Sequence, residues 1–168
     1  MTRRNFLVFV LAIFFSAGAR AETVSVNDLI KSAHDTSTAL AFDKYLSVRE
    51  LAASGKVLAT NWLKDNAKHA SATGVKRLEK GLAGLAEDVG EAEFRLRVAE
   101  LQAGLMELIR ASEELKGQWS LYYCPMVKRF WTQPAKEEMA NAYMGTKMLD
   151  CGVQKKWTQL PEHLKGWP

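Results

Sequence analysis

The sequence predicts an all-α fold, a four-helix bundle ending in an irregular C-terminal hook that carries two cysteines. Three observations predict it. Apolar residues recur at helical spacing from Val26 to Leu115. The interruptions in that pattern are short and built on glycine, serine or threonine, as connections in a bundle are. From about residue 118 the helical period is lost, and both cysteines and four of the six methionines fall between Cys124 and Cys151.

The first helix is read from Val26, Leu29, Ile30, Ala33, Leu40, Tyr45, Val48 and Leu51, with Ser25 placed to cap and Asp28 in the first turn. Ser54-Gly55 breaks the pattern, and Val57, Leu58 and Trp62 start a second amphipathic stretch that runs to about Ser71. Thr73-Gly74 marks a boundary. Val75, Leu78, Leu82, Leu85 and Val89 then make a third helix, weakened by Gly81 and Gly84 at about 1 kcal/mol each relative to alanine. The fourth is the clearest: Phe94, Val98, Leu101, Leu105, Leu108, Ile109 and Leu115 share one face between Glu91 and Lys116, and Gly117 supplies a stop. Beyond it Trp119, Leu121, Tyr122 and Tyr123 cluster between prolines. Pro134 suits the first position of a short helix to Ala140, Asn141 to Gly145 should turn, and Lys147 to Cys151 should form one more turn ending at Gly152.

Residues 1–21 read as a signal peptide. Arg3 and Arg4 precede the apolar run Phe6 to Phe15, and Ala19 and Ala21 fit a cleavage site before Glu22. That run is roughly half the ~20 residues needed to span a bilayer, and no later segment is long and apolar enough to insert. The start also resembles a twin-arginine signal, and Arg20 beside the cut disfavours the general secretory route, so both export routes stay open. Residues 22–168 are then one soluble domain, periplasmic or secreted. The net charge of +4 largely reflects Arg3, Arg4 and Arg20; without them the chain is nearly neutral. It therefore lacks the basic footprint of a nucleic-acid binder.

The chemistry-bearing residues lie in the hook. Cys124-Pro125-Met126 and Met148-Leu149-Asp150-Cys151 each pair a thiol with a thioether, the donors that a soft cation such as Cu(I) selects. Met139 and Met144 could add to the set, with Met144 and Met148 on one face if that segment is helical. The spacing fits no zinc pattern. The competing reading is a Cys124–Cys151 disulfide, because two cysteines in an oxidising compartment usually pair, and a disulfide sulfur has no thiolate to give a metal.

These residues also carry a resemblance. Tyr123-Cys124-Pro125-Met126, Phe130-Trp131-Thr132-Gln133 and Asn141-Ala142-Tyr143-Met144-Gly145-Thr146-Lys147-Met148-Leu149-Asp150-Cys151-Gly152 resemble the end of an uncharacterised bacterial exported helical domain. That domain of unknown function also occurs at the C-terminus of periplasmic adaptor subunits of copper and other heavy-metal efflux pumps. The match is dense from Tyr122 to Gly152, and departs at Ala142, where that family usually has proline. The resemblance implies a four-helix bundle with a folded-back hook, and soft-metal handling by Cys124, Met126, Met148 and Cys151 alongside a periplasmic metal-efflux component.

Other residues read blandly. Trp131, Trp157 and Trp167 could form an aromatic platform, but tryptophans of a small domain usually pack its periphery. His34, His69 and His163 are scattered as surface or cap residues, and Arg95 and Arg97 sit among Glu93 and Glu100 on a solvated face. Met106 belongs to the core face of its helix. No Ser-His-Asp order, phosphate loop or HExxH helix is visible, so the expected protein is not an enzyme. The second functional reading is a non-catalytic helical interaction module stapled by the disulfide.

Overall fold

The structure is a computed structural model that describes residues 24–87 and 90–161. The expected signal peptide, Val89, His163 and Trp167 lie outside those residues. Among the described residues the chain forms α1 (Val26–Ala41), α2 (Tyr45–Asn66), α3 (Ala72–Ala86), α4 (Glu91–Arg110), α5 (Glu113–Gln118), β1 (Trp119–Cys124), β2 (Arg129–Pro134) and β3 (Val153–Lys155). The expected all-α four-helix bundle is therefore wrong. This is a mixed fold in which five helices carry a three-stranded antiparallel sheet, ordered β2-β1-β3.

The sheet escaped the periodicity reading because β1 is buried on both faces. Leu121 packs with Ala103 and Met106 of α4 and with Leu160, whereas Tyr122 and Cys124 join the main core with Trp131, Ala142 and Tyr143. Doubly buried strands do not alternate apolar with polar. Trp119 pairs with Pro134 and Cys124 with Arg129, so residues 125–128 form the hairpin loop, ending on Lys128 at φ 52°. Pro134 thus closes a strand and starts no helix. The segment after it is held by a side chain instead: Gln133 Nε2 donates to the carbonyls of Glu137 (3.3 Å) and Glu138 (2.7 Å), and Ala140 N–H donates to Gln133 Oε1 (3.0 Å).

The helices also differ from expectation. Ser25 and Asp28 do form the cap, each side chain bonding the other's backbone N–H at 3.2 and 2.8 Å. The first helix, however, stops at Ala41, where Asp43 takes a left-handed φ of 55° and the chain turns into α2. Ser54-Gly55 interrupts nothing and lies inside α2. The long fourth helix divides at Ala111–Ser112, with Ser112 Oγ accepting from Leu115 N–H to cap α5. Gly117 is inside α5.

α3 packs between α2 and α4, and α1 lies against both α2 and α4. Glycine sets how closely α3 meets α4. A Cβ on Gly81 would sit 2.3 Å from the Leu101 backbone nitrogen, and one on Gly104 2.5 Å from that of Leu78. The glycines that lower helix propensity therefore permit backbone contact. Buried Gln102 of α4 joins the layers: its Nε2 donates to Ser37 Oγ of α1 (2.6 Å), and its Oε1 accepts from Thr132 N–H on the edge of β2 (3.0 Å). This satisfied buried amide fixes the sheet against the helices.

Candidate functional site

β1 delivers Cys124 at its last residue, directly before the hairpin loop. Cys151 arrives from the opposite direction, two residues before β3, whose Val153 pairs with Tyr123. Antiparallel pairing at that point brings the two thiols together: Cys124 Sγ and Cys151 Sγ are 3.5 Å apart. Both are free thiols, Cys124 buried and Cys151 half-buried. Gly152 matters here, because a Cβ on it would lie 2.1 Å from Trp131 Cη2. The buried Trp131 indole, stacked on Tyr122, covers the backbone next to Cys151.

The thiols are electrostatically unlike. Burial pushes the Cys124 thiol up, but the Val127 N–H, the Asn141 side-chain amide, the Cys151 thiol and the Met126 N–H all favour its thiolate, and together they bring it below the ordinary value. Burial also pushes Cys151 up, and its bond to Cys124 and the negative charges of Cys124 and Asp150 add to the shift. The pair therefore titrates unequally, with Cys124 losing its proton before Cys151.

Asn141 organises this contact and was not singled out in the sequence. Buried completely, it donates from Nδ2 to the Cys151 carbonyl (2.6 Å), and its own N–H donates to the Leu149 carbonyl (2.9 Å). Its Oδ1 accepts from Tyr143 N–H (2.9 Å), and its carbonyl accepts from Met144 and Gly145 N–H. An asparagine four residues before a glycine, a turn signal, is the sequence signal for it. Tyr143 is also buried and donates from its hydroxyl to the Phe130 carbonyl (3.0 Å), with burial raising its pKa far above the usual phenol range.

Met126 and Met148 stand at the outer limits of the same turns. Met126 is 60% exposed in the hairpin loop, and Met148 is 37% exposed. The expectation that Met144 and Met148 share a helical face does not hold. A 3₁₀ turn covers only Gly145–Lys147, and Met148 leaves the helical conformation at φ −154°. Cys151 N–H instead donates to the Met148 carbonyl (3.2 Å), closing a turn between the two sulfur residues. Met139 is partly buried against the main core, and Met106 is fully buried in the second cluster, as its spacing indicated.

Two contacts tie the hook to α1 and the corner after it. Asp43 accepts from Thr146 N–H (2.9 Å) and from the Thr146 hydroxyl, while His34 Nε2 pairs with Glu137 Oε2 at 3.1 Å. The remaining aromatic and charged residues serve packing or surface roles. Half-buried Trp157 donates to the Trp119 carbonyl (3.1 Å), His69 Nδ1 accepts from Ser71 N–H before α3, and Arg97 pairs with Glu93 on an exposed face.

Among the described residues no group of three or more His, Cys, Asp or Glu is placed to hold a metal ion. Two thiolates each about 2.3 Å from one cation lie roughly 3.7–4.0 Å apart when further ligands keep the angle near tetrahedral or trigonal, and about 4.6 Å apart when the ion is two-coordinate and linear. The observed 3.5 Å is shorter than either, so the thiols must part to bracket an ion. Comparison with protein-family models, with curated proteins and with solved structures gave no match. No described helix is long and apolar enough to cross a membrane.

Proposed function

We propose that this is an exported, non-catalytic metal-handling protein that captures Cu(I) or a similar soft cation on Cys124 and Cys151, with Met126 and Met148 at the rim of the site. The observation that carries the reading is the 3.5 Å meeting of two free thiols, one of which is supplied with backbone and side-chain hydrogen bonds that favour its thiolate. The thiolate is the form that binds a metal, so Cys124 is the readier ligand and Cys151 joins it on releasing its proton. Paired sulfur donors select Cu(I) over harder ions. The export signal read in residues 1–21 and the resemblance of residues 122–152 to a domain attached to heavy-metal efflux adaptors support a periplasmic setting, with a metal-efflux component as the partner.

Titration of the reduced protein with Cu(I) against a competing chelator tests this. One ion should bind per chain, with binding lost in both Cys124→Ser and Cys151→Ser. Stoichiometric binding that survives either substitution would rule out the pair as the site.

A second reading rests on the same contact. Sulfurs 3.5 Å apart across 27 residues of chain are placed to close a disulfide, which would stabilise the fold by about 3.5 kcal/mol in the chain-entropy model. The protein would then be an interaction module, stapled and without metal. Material isolated from the periplasm two hydrogens lighter than the reduced chain, and taking up no Cu(I) after mild reduction, would favour this alternative.

A further inference from the structure

We infer that Cys124 and Cys151 form a reversible dithiol–disulfide couple that is opened and closed from the Cys151 side. This couple goes beyond the Cu(I) reading, since it needs only the two thiols, and it gives that site a gate: a disulfide sulfur has no thiolate to offer a metal. Contact is the first requirement. The sulfurs stand 3.5 Å apart and close by about 1.5 Å to reach a bond of about 2.05 Å.

A permanent staple is not what holds these arms together. β3 pairs with β1 through Val153 and Tyr123, Asn141 Nδ2 donates to the Cys151 carbonyl at 2.6 Å, and Asp43 accepts from Thr146 N–H at 2.9 Å. All of these contacts are made with both thiols free, so the open form stays folded and the thiols stay adjacent.

The sulfurs also differ in access. Cys124 has no exposed surface, whereas Cys151 is half-buried, so a dissolved thiol or disulfide reaches Cys151. Which sulfur is attacked and which one leaves together set the rate of exchange. Cys124 is made a good leaving group by the Val127 and Met126 N–H groups and the Asn141 amide, which hydrogen-bond its thiolate. The same bonds favour the open state, because they are at full strength only when that sulfur carries charge.

Glutathione, a small thiol, supplies both half-reactions. In closing, the Cys151 thiolate attacks glutathione disulfide and one glutathione thiolate departs. The Cys124 thiolate then attacks Cys151 Sγ and displaces the second. The protein loses two electrons and two protons, and glutathione disulfide gains both to become two thiols. Opening reverses each step, with glutathione thiolate attacking Cys151 and Cys124 leaving.

The test uses the full-length protein without metal, oxidised and then held under native conditions in millimolar reduced glutathione, with free thiols counted by alkylation and mass. The bond is expected to open without denaturant. Capture of glutathione from its disulfide is then timed in Cys124→Ala and Cys151→Ala, and the first, which keeps Cys151, should react at least about tenfold faster. A bond that resists glutathione until the chain is unfolded would make it a structural staple and overturn the inference. Equal or faster capture at Cys124 would overturn it too. These arms contain no metal, so a protein that passes them and takes up no Cu(I) once opened defeats the metal reading and not the couple.

Discussion

Asn141 joins the two arms that carry the thiols, bonding the Cys151 carbonyl from a side chain that also favours the Cys124 thiolate. Neither role could be read from the sequence, because an asparagine before a turn looks alike whether it caps its own loop or reaches a distant strand. The cysteines and methionines stood out in the sequence because sulfur is scarce and four methionines fall between the two cysteines; that Cys124 is buried, Cys151 half-buried and Met126 exposed required the fold. The opposed shifts of the two thiols predict a pH signature. Cys124 is held below the ordinary thiol value of about 8.5, so its contribution to stability is present above the unfolded value and is lost as pH falls through the folded one. Cys151 is held above that value, so its contribution is present below the unfolded value and is lost as pH rises through the folded one. Ultraviolet thiolate absorbance of the metal-free reduced protein should therefore rise in two steps on either side of the ordinary value. Cys151→Ala should abolish the upper step and move the lower one up, since it removes the S–H that donates to the Cys124 thiolate. A single step for two thiols at the ordinary value would show that the pair does not interact.

At the scale of elements, the glycines of α3 and α4 show where propensity misleads. Gly81 lowers the helical tendency of α3 when the sequence is read locally, yet any side chain there would strike the Leu101 backbone. Gly81→Ala gains about 1 kcal/mol of helix propensity and costs more through overpacking. Urea denaturation should show a net destabilisation of about 2 kcal/mol. A stabilised variant would mean that α3 and α4 do not approach as described. The hairpin teaches the reverse lesson. Two six-residue runs rich in aromatic residues, WSLYYC and RFWTQP, flank a four-residue loop that begins with proline, and that is a hairpin signal on composition. It was masked because burial of both faces removes the alternation by which strands are usually found. The early end of α1 had a different cause. Apolar residues continue in helical register into α2, and the break at Asp43 serves a distant need, its carboxylate receiving Thr146 of the hook.

For the molecule as a whole, the helices act as a platform and the sheet as the device that brings chain segments together. Gln102 fixes the edge of β2 to α4 and α1, β1 extends from that anchored hairpin to Cys124, and β3 returns the chain so that Cys151 meets it. His34 with Glu137 and Asp43 with Thr146 hold the intervening hook against α1 and its corner. An all-α bundle with a loose hook would have left the convergence of the thiols to chance, whereas antiparallel pairing determines it. X-ray absorption of the reduced protein loaded with one equivalent of Cu(I) decides whether this convergence holds a cation between two sulfurs. The expected spectrum shows Cu(I) bonded to two sulfurs, both lost in the double variant Cys124→Ser and Cys151→Ser; nitrogen or oxygen neighbours, or sulfur neighbours that survive that variant, would rule the site out.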